Sequence, residues 1–440
     1  MISLLPNIIF SLILIIAIGF FVRNIQKLIN VIKLGKPINR SDNPRKRFLN
    51  MARVALGQSK MVTKPISGLL HVIVYVGFII INIELLEILI DGVIGSHRFF
   101  SKYFNPYFYN FLIASFEVFA LLVLISVVIF WTRRNLMNIK RFLSSEMKGW
   151  PKFDADNILY FEIVLMLLFL SMNATDLILQ NRDFEGYYKA GAFPISSFLV
   201  PLFDSFSTST VYVLERIFWW LHILGILFFL NYLYYSKHLH ILLAFPNTYY
   251  SNLEEKGKFS VLQSVKNEVM LMFYPEKASN ENNQVEKFGA SDVLDLNWVQ
   301  LMNAYSCTEC GRCSSECPAN QTGKKLSPRK VMMDTRDRLE KVSINISKNK
   351  GNFVDDGDRL LDNYISKEEL WACTSCNACV DACPINIDPL SIIMDMRQYL
   401  IMEESSAHPD LNNMMNNIEN NGAPWPYNQL DRELWVQETQ

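Results

Sequence analysis

The clearest pattern along the chain is a series of five long apolar stretches in its first half, separated by polar loops. They run approximately from Ile2 to Val22, Ile66 to Ile90, Phe111 to Trp131, Ile158 to Leu179 and Val211 to Tyr235. A helix needs about 20 mostly apolar residues to cross a hydrocarbon core about 30 Å thick, and each stretch meets that length. The first stretch lacks the cationic start and the small-residue cleavage site of a secretory signal, so we interpret it as a retained helix. The pattern predicts a bundle of five transmembrane helices over residues 1–245.

The second half of the chain is polar and contains all eight cysteines. They form two copies of one motif, Cys307–Pro318 and Cys373–Pro384, each with the spacing C-x2-C-x2-C-x3-C-P. In iron–sulfur proteins this run places three thiolates around one cluster, while the fourth cysteine ligates the other cluster. The expected [4Fe–4S] ligand sets are Cys307, Cys310, Cys313 and Cys383 for one cluster, and Cys373, Cys376, Cys379 and Cys317 for the other. Structural zinc is the alternative, but the doubled run of three cysteines followed by Cys-Pro disfavours it.

An internal repeat follows the two motifs. In Pro328–Leu339 and Pro389–Leu400, the residues Pro, an aliphatic residue, Met, Asp, Arg and Leu recur in the same register. Proline in the first turn and apolar residues at helical spacing predict a helix after each motif. A helix is also expected before each motif, and the second of these begins with a capping box of Ser366 and Glu369. The prediction is an all-α fold: a five-helix transmembrane bundle followed by an α-helical dicluster ferredoxin domain over residues 291–403.

Composition and charge narrow the classes of function. Hydrophobic residues make up 50% of the chain and charged residues only 19%, which excludes a disordered or purely soluble protein. The formal net charge is −1, so nothing favours nucleic acid as a partner. Residues 23–64 hold eleven basic residues against one acid and residues 133–156 hold six, whereas the alternate loops hold two each. By the positive-inside rule we expect a multi-pass protein of the bacterial inner membrane, with its N-terminus outside and its cysteine domain in the cytoplasm.

Three histidines of the apolar half are candidate ligands of haem b. Imidazole is a usual axial ligand of haem iron, and His71, His222 and His240 lie in or beside the predicted helices. His222 and His240 are eighteen residues apart, so they share one face about 27 Å apart if the helix continues that far. The sequence supports one bis-histidine haem without fixing which pair binds it. A second haem lacks a fourth histidine, and the thioether of Met61 is a candidate for that place.

Carboxylates inside the apolar stretches are costly and normally face the interior of a helix bundle. Glu117, Glu162 and Asp176 lie in the third and fourth stretches. They are candidates for handling quinone protons, or else they form hydrogen bonds between helices. Glu84 and Glu87 lie on one face near the end of the second stretch, where an interfacial position is equally compatible with the sequence.

Both halves of the chain resemble known families. The cysteine domain resembles the dicluster module of the C component of heterodisulfide reductase and the iron–sulfur subunit of succinate dehydrogenase. The apolar half resembles the γ subunit of respiratory nitrate reductase, a five-helix dihaem cytochrome b, in the separation of His222 and His240 and in the helix-two histidine His71. The fusion most resembles the membrane-bound electron-transfer-flavoprotein:menaquinone oxidoreductases and their heterodisulfide-reductase-like relatives. Those relatives carry Cys-Cys-Gly domains after the dicluster module, whereas here no cysteine follows Cys383.

The resemblance implies a domain organisation. It implies a nitrate reductase γ-like membrane domain over residues 1–245, a linker over 246–290, the ferredoxin domain over 291–403 and a tail over 404–440. The Asn420–Tyr427 segment of the tail is similar to the connector that leads to a Cys-Cys-Gly domain. We therefore expect a separate Cys-Cys-Gly iron–sulfur subunit as a partner that docks on the tail.

The resemblance also implies a function. The chain is expected to be an electron-transfer subunit of a quinone-linked respiratory oxidoreductase, acting between electron-transfer flavoprotein and menaquinone or ubiquinone through two [4Fe–4S] clusters and haem b. No flavin or dinucleotide fingerprint is present, so no residue is assigned a catalytic role and the two-electron chemistry falls to a partner. The alternatives are a quinol-oxidising subunit that works in the reverse direction and a membrane-tethered iron–sulfur redox sensor.

Overall fold

Five long helices dominate the first half of the structure, a computed structural model that describes residues 4–255, 257–258, 261–277 and 287–438. They are α1 (Leu5–Ile32), α2 (Pro65–Ile94), α3 (Pro106–Asn135), α4 (Trp150–Asn181) and α5 (Thr208–Tyr232). Each is long and apolar enough to cross a membrane, which confirms the five predicted spans. The structure is 71% helical and its described residues form no β-strand, so the all-α prediction is also confirmed.

The helices extend beyond the apolar stretches that predicted them. For example, α1 continues to Ile32, past the predicted end at Val22, and carries Arg23 and Lys27 in its second half. The apolar stretch reflects the thickness of the hydrocarbon, whereas the backbone hydrogen bonds of the helix continue into the polar loop. Proline lies in the first turn of α1, α2, α3 and α4, where its missing N–H leaves no hydrogen bond unmade.

The core of the bundle lies between α3 and α4. Phe116 and Ala120 of α3 and Phe169 of α4 are each at most 1% exposed. Gly77 allows α2 to approach α3 closely, because a Cβ at this position would lie 2.6 Å from a methyl group of Val123. Small residues at such crossings let transmembrane helices make close van der Waals contact, which is the main attraction between helices in lipid.

The cysteine domain lies against one end of the bundle. This end is formed by the last residues of α1, α3 and α5 and the first residues of α2 and α4, with their loops. We call it the proximal end, and we call the opposite end the distal end. Which end faces the cytoplasm remains a prediction from the loop charges.

The chain does not pass straight from α5 to His240. Helix α5 ends at Tyr232, and two short 3-10 turns, Leu233–Tyr235 and Lys237–Leu239, follow before α6 (His240–Tyr249). Ser236 between them has an extended backbone, which interrupts the helical hydrogen bonds. The face shared by His222 and His240 therefore rests on two helices rather than one. The proposed domain boundary at residue 245 falls within α6, which packs against the cysteine domain.

The cysteine domain is built from six helices that frame the two motifs. They are α7 (Trp298–Ser306), α8 (Arg312–Glu316), α9 (Pro328–Lys348), α10 (Lys367–Ala372), α11 (Ala378–Ala382) and α12 (Pro389–Met402). The repeated helices after each motif are present as predicted, with proline in the first turn. The capping box is also present, since Ser366 and Glu369 each bond the other's backbone N–H.

The remaining described helices are short or lie outside the two domains. They are Pro44–Met51, Lys140–Leu143, Val200–Phe203, Gln263–Phe273, Pro318–Gln321, Leu360–Asn363 and Leu434–Glu438, the π-helix Ala52–Leu56, and α13 (Pro409–Asn421) in the tail. The predicted linker over 246–290 contains part of α6 and the helix Gln263–Phe273, and residues 278–286 lie outside the described residues. The tail exposes large apolar side chains, among them Leu430 and Trp435.

A backbone bridge joins the end of α1 to the start of the cysteine domain. Lys36 N–H donates to the carbonyl of Leu296 (2.8 Å), and Trp298 N–H donates to the carbonyl of Lys36 (3.2 Å). The preceding residue, Gly35, lies so close that a Cβ there would be 2.5 Å from the Trp298 nitrogen. The indole of Trp298 also donates to the carbonyl of Ile38 (3.1 Å). This bridge holds the cysteine domain against the proximal end.

Candidate functional site

The two cysteine motifs fold into loops of the same shape. In each loop the first cysteine directly follows a short helix, the third lies in the next helix, and the fourth comes just after that helix. The two helices are α7 and α8 in the first motif, and α10 and α11 in the second. The residue after the second cysteine has a positive φ in both copies, 72° at Gly311 and 60° at Asn377. Glycine and asparagine tolerate this left-handed conformation better than other residues. It lets each loop turn tightly enough to present several thiols on one side.

Cysteines of both motifs converge on one cavity. Its lining includes Cys307, Cys310 and Cys313 of the first motif together with Cys379 and Cys383 of the second. Around the second loop, Cys317 of the first motif lies near Cys373. Cys383 therefore lies with the first three cysteines of the other motif, and Cys317 lies near Cys373 and Cys379, while Cys379 also lines the first cavity. The crossed ligand sets stay a prediction.

The thiols of this site are in apolar surroundings. Burial raises the pKa of Cys307 to about 12 and that of Cys383 to about 11. Burial also raises the pKa of Cys373, and the nearby thiols of Cys317 and Cys376 act in the same direction. Such thiols stay protonated at neutral pH unless a bound metal stabilises the thiolate, so metal binding here releases protons.

Equivalent arginines of the repeat anchor the two loops. Arg336 of α9 donates to Oε1 of Glu309 (2.9 Å), while Arg397 of α12 donates to Oγ of Ser375 (3.3 Å) and to the carbonyl of Cys373. Glu309 and Ser375 occupy the same place in the two motifs, between the first and second cysteines. The helix after each motif therefore holds the loop that precedes it.

The first loop is also tied to the membrane domain. Lys237, between α5 and α6, forms a buried ion pair with Glu309. Arg312, between the second and third cysteines, is 4% exposed and donates to the carbonyl of Lys60 (3.0 Å) just before α2. Burial by itself raises the pKa of Glu309, but the charges of Lys237 and Arg336 outweigh it and the pKa is lowered. Glu309 is therefore ionised at neutral pH, and its charge holds two cations from different domains.

A second buried arginine completes this interface. Arg329, at the start of α9, is 1% exposed and donates to the carbonyl of Arg141 (2.6 Å) and to Glu146 (2.7 Å), both in the loop between α3 and α4. It also lines the cysteine cavity. Gly311 leaves space for it, because a Cβ at Gly311 would lie 2.5 Å from its Nη1. The first motif therefore faces the membrane domain on several sides.

Two of the three predicted histidines come together at the proximal end. The ring centres of His71 and His240 are 6.5 Å apart, and their planes make an angle of 42°. Two imidazoles on opposite sides of one metal would have ring centres about 6.2 Å apart, from bonds of about 2 Å and about 1.1 Å from nitrogen to ring centre on each side. Nδ1 of His240 donates to the carbonyl of Lys237 (3.2 Å), which leaves its Nε2 available for a metal. Nδ1 of His71 is buried and has no hydrogen-bond partner in the described part of the chain.

The third predicted histidine lies elsewhere. His222 is in the middle of α5, where its Nδ1 donates to the carbonyl of Leu165 (3.1 Å) and its ring packs near Phe169. Met61 is at the proximal end, with its sulfur 3.2 Å from Nη2 of Arg312. The structure therefore does not bring Met61 to His222.

Two of the membrane carboxylates singled out in the sequence, Glu117 and Asp176, take part in hydrogen bonds. Glu117 of α3 accepts from Asn173 of α4 (3.2 Å) and from the N–H of Ile195 (2.9 Å). Asp176 of α4 accepts from Arg98 (2.8 Å), in the loop after α2. For these two residues the geometry favours the structural alternative, bonding between helices and loops.

Sequence reasoning missed the residues that join the first loop to the membrane domain. A signal was nevertheless present, because the two motifs differ at equivalent positions: Glu309 and Arg312 in the first copy correspond to Ser375 and Ala378 in the second. Charged residues in only one of two otherwise similar loops indicate that this loop has an additional partner. The partner, Lys237, lies too far along the chain for spacing to identify it.

Comparison with known proteins supports the iron–sulfur assignment. Residues 306–387, which include all eight cysteines, match the family described as 4Fe-4S dicluster domain. Over nearly its whole length the chain is similar to the probable iron-sulfur-binding oxidoreductase FadF of Bacillus subtilis, with 28% identity over 450 residues, 96% of this chain and 59% of that protein. It is also similar to the EtfAB:quinone oxidoreductase of Syntrophomonas wolfei, with 24% identity over 449 residues, 97% of this chain and 59% of that protein.

Other relatives match a smaller part of the chain. A probable membrane-anchored ferredoxin of Chromohalobacter salexigens is 33% identical over 135 residues, which cover 27% of this chain and 20% of that protein. These relatives confirm the resemblance predicted from the motifs and support electron transfer by an iron–sulfur oxidoreductase. The chain spans about three fifths of the length of the first two relatives. No solved structure matches it.

Proposed function

We propose that the chain is the membrane-bound electron-transfer part of a quinone-linked oxidoreductase. In this proposal electrons move between a soluble redox partner and quinone in the membrane, through two [4Fe–4S] clusters and one haem b. The cysteine motifs and the relatives support the oxidoreductase class. We propose in addition that the chain uses a quinone, a haem b and a soluble redox partner.

The contacts between the first cysteine loop and the histidine pair are the main support for this proposal. Glu309, between two cysteines of the first motif, pairs with Lys237; the carbonyl of Lys237 accepts from His240, and His240 faces His71. The first cysteine loop is thus connected to the histidine pair by a single side-chain bridge. We propose that this bridge lies between the first cluster and the haem.

Both kinds of cofactor have candidate ligands among the described residues. We propose that the crossed sets of four cysteines hold the two clusters, and that His71 and His240 hold the haem iron with their Nε2 atoms. When bound, these groups supply one-electron steps. The protein tunes the sulfur ligands by hydrogen bonds: the N–H of Ser375 donates to Sγ of Cys373 (3.4 Å) and the N–H of Ile387 to Sγ of Cys383 (3.3 Å).

The second cysteine loop is the proposed contact with the soluble partner. Cys376 in this loop is exposed, whereas the first loop is covered by the membrane domain. The name of one relative includes EtfAB, so we propose electron-transfer flavoprotein as the donor, acting through a Cys-Cys-Gly iron–sulfur protein that docks near this loop and the tail. The reverse direction, from quinol to a cytoplasmic acceptor, uses the same route.

The crossed ligand sets are tested by comparing four serine variants of the full chain. Wild type should contain about eight irons, and each variant about four. The crossing rule predicts that Cys383→Ser loses the same cluster as Cys310→Ser, and that Cys317→Ser loses the same cluster as Cys376→Ser, as judged by the electron paramagnetic resonance of the remaining cluster. If Cys317→Ser instead loses the same cluster as Cys310→Ser, each motif holds its own cluster and the crossed ligand sets are wrong.

The haem is tested by the reduced-minus-oxidised absorption spectrum of the purified protein. A b-type spectrum is expected in wild type and absent from His71→Ala and His240→Ala. His408→Ala, an exposed histidine in the tail, is the matched control and should keep it. Wild-type protein without a b-type spectrum, or a spectrum lost in His222→Ala but kept in His71→Ala, overturns the proposed pair.

The partner is tested by purifying the complex from native membranes and supplying reduced electron-transfer flavoprotein. Reduction of the clusters followed by reduction of a naphthoquinone is the expected result. If the flavoprotein neither co-purifies nor reduces the clusters, the choice of donor is wrong. A sensor, the competing class, would show no quinone-linked turnover with any donor.

A further inference from the structure

A cavity of about 420 Å³ lies at the distal end of the bundle, far from the cysteines. Its walls come from α1, α2, α4 and α5 and from the loop after α2. This volume lies within the range of small-molecule sites and exceeds the space that one buried water needs. Two residues of its wall, Pro6 and Tyr212, are exposed near the starts of α1 and α5, so the cavity opens to the surface at the distal end.

One side of the cavity is aromatic. The ring centres of Phe10 and Trp219 are 5.4 Å apart, and those of Trp219 and Trp220 are 5.3 Å apart. Gly92 of α2 permits this packing, because a Cβ there would lie 2.5 Å from the ring of Phe10. The resulting wall offers faces and edges on which a flat conjugated ring can pack.

The other side is polar and supplies hydrogen-bond donors. Arg98 is 7% exposed and donates to Asp176 (2.8 Å) and Asn173 (2.9 Å). Nε2 of His97 lies 2.9 Å from the same carboxylate, while its Nδ1 is buried and has no partner among the described residues. The guanidinium of Arg98 suits the carbonyl oxygen of a ligand, while Nδ1 of an imidazole whose Nε2 carries the hydrogen accepts, as from a hydroxyl group.

Glu84 differs from the carboxylates around it. Glu87, one turn further along α2, accepts from the N–H of Phe100 (2.7 Å) and from the hydroxyl of Tyr109. Glu84 has only Arg98 near one oxygen, at 3.6 Å, and its Oε2 is buried with no hydrogen-bond partner in the described structure. Buried polar atoms are nearly always bonded, so the unpaired oxygen of this cavity-lining residue is consistent with a ligand that bonds it.

We propose that the distal cavity binds the headgroup of a quinone and that Glu84 exchanges a proton with it. The aromatic wall takes the ring, Arg98 donates to a carbonyl oxygen, and the apolar tail leaves through the opening beside Pro6 and Tyr212. The inference rests on the proposed function, which supplies the electrons. His222 lies three residues from Trp219 on α5, about 4.5 Å along the helix axis, on the side of the cavity that faces His240.

The proposed step balances. Reducing a quinone to its quinol adds two electrons and two protons; the electrons arrive one at a time from the cysteine domain. One proton comes from the Glu84 carboxyl group, which is then reprotonated from bulk solvent at the distal end, and bulk solvent also supplies the second proton. Quinol oxidation reverses each transfer. Electrons and protons therefore reach the ring from opposite ends of the bundle.

Binding is tested on the full chain in lipid nanodiscs with 2,3-dimethyl-1,4-naphthoquinone as the probe. We expect it to quench tryptophan fluorescence saturably in wild type. The variant with both Trp219→Phe and Trp220→Phe keeps the aromatic wall and should lose most of the saturable quenching. Equal saturable quenching in this variant and in wild type, or no saturable quenching in wild type, overturns the assignment of the cavity.

The role of Glu84 is tested by the rate at which the probe reoxidises protein reduced with dithionite. Glu84→Gln should slow this step by about a hundredfold, the low end of the usual contribution of a proton-transferring group, while probe binding stays within about twofold. Glu84→Asp should recover much of the rate, and Glu185→Gln, exposed at the same end, should not change it. An unchanged rate in Glu84→Gln refutes the role. If reduced wild type does not reduce the probe at all, the proposed function fails, and the quenching result still decides the site.

Discussion

The ion pair between Glu309 and Lys237 should be essential for holding the cysteine domain on the membrane domain. The Glu309 side chain is 2% exposed and the Lys237 side chain 9%. Glu309→Gln keeps the shape and removes the charge, which leaves Lys237 buried without its ion-pair partner. Breaking a buried pair in this way typically costs about 3–5 kcal/mol. Arg336 retains Asp337 at 3.2 Å, so we expect the low end of that range, about 3 kcal/mol.

Thermal loss of the visible absorbance of the clusters measures this cost. For a domain of about 100 residues, 1 kcal/mol lowers the Tm by about 4 °C, so the Glu309→Gln variant should lose its clusters about 12 °C earlier than wild type. Glu368→Gln is the control, because Glu368 pairs with Lys325 at the surface and both side chains are well exposed. That variant should behave like wild type.

A double variant separates the ion pair from packing. Glu309→Leu combined with Lys237→Met replaces both charges by apolar side chains, which usually costs less than removing one partner. Its Tm should therefore lie above that of Glu309→Gln. If Glu309→Gln and Glu368→Gln shift the Tm equally, or if the double variant is the least stable of the set, the reasoning from burial is wrong.

Three further outcomes are expected from the packing and titration of single residues. Gly35→Ala should weaken the contact between the two domains by about 1–3 kcal/mol and speed proteolysis between them, because the added Cβ would clash with the backbone of Trp298. Gly19→Ala is the control and should have neither effect, since a Cβ there would meet no atom within 4 Å. Ser366→Ala should cost about 1 kcal/mol in denaturant unfolding through loss of the capping box, and Ser366→Asp should cost less. Burial raises the pKa of Asp334 to about 6 from its ordinary value of 3.8, so the folded domain binds this proton more tightly than the unfolded chain. The free energy of unfolding should therefore fall as the pH rises from about 4 to 6, by about 1 kcal/mol between pH 5 and pH 7.5. Asp334→Asn should remove that difference. An unchanged pH dependence in this variant would refute the raised pKa of Asp334.

The local features of this protein were predictable from its sequence. Five apolar stretches predicted five spans because the length of apolar chain that crosses a bilayer is fixed by the bilayer itself. The repeated C-x2-C-x2-C-x3-C-P run predicted two similar loops, since its spacing fits the ligand geometry of a cluster. The capping box of Ser366 and Glu369 and the proline starts were likewise visible, because each depends on residues a few positions apart.

The choice among the histidines depended on tertiary structure. Spacing on a single helix favoured comparing His222 with His240, but the extended residue Ser236 ends that helix and α6 begins anew at His240. The pairing of His240 with His71 follows from how α2, α6 and the intervening turns pack. Periodicity describes one helix at a time, and it carries no information on the angle at which a second helix starts.

The first cysteine loop and the distal cavity show the same difference between what spacing determines and what long-range packing determines. Sequence alone determined that the chain has five spans, two equivalent cysteine loops and a charged difference between them at Glu309 and Arg312, because these are properties of spacing and residue type. Only the tertiary structure decided that the first loop meets Lys237 and that residues of four helices enclose the cavity beside Glu84. The physical reason is that cofactor distances, buried ion pairs and cavities are made by residues that lie far apart in the chain, and long-range packing sets their positions.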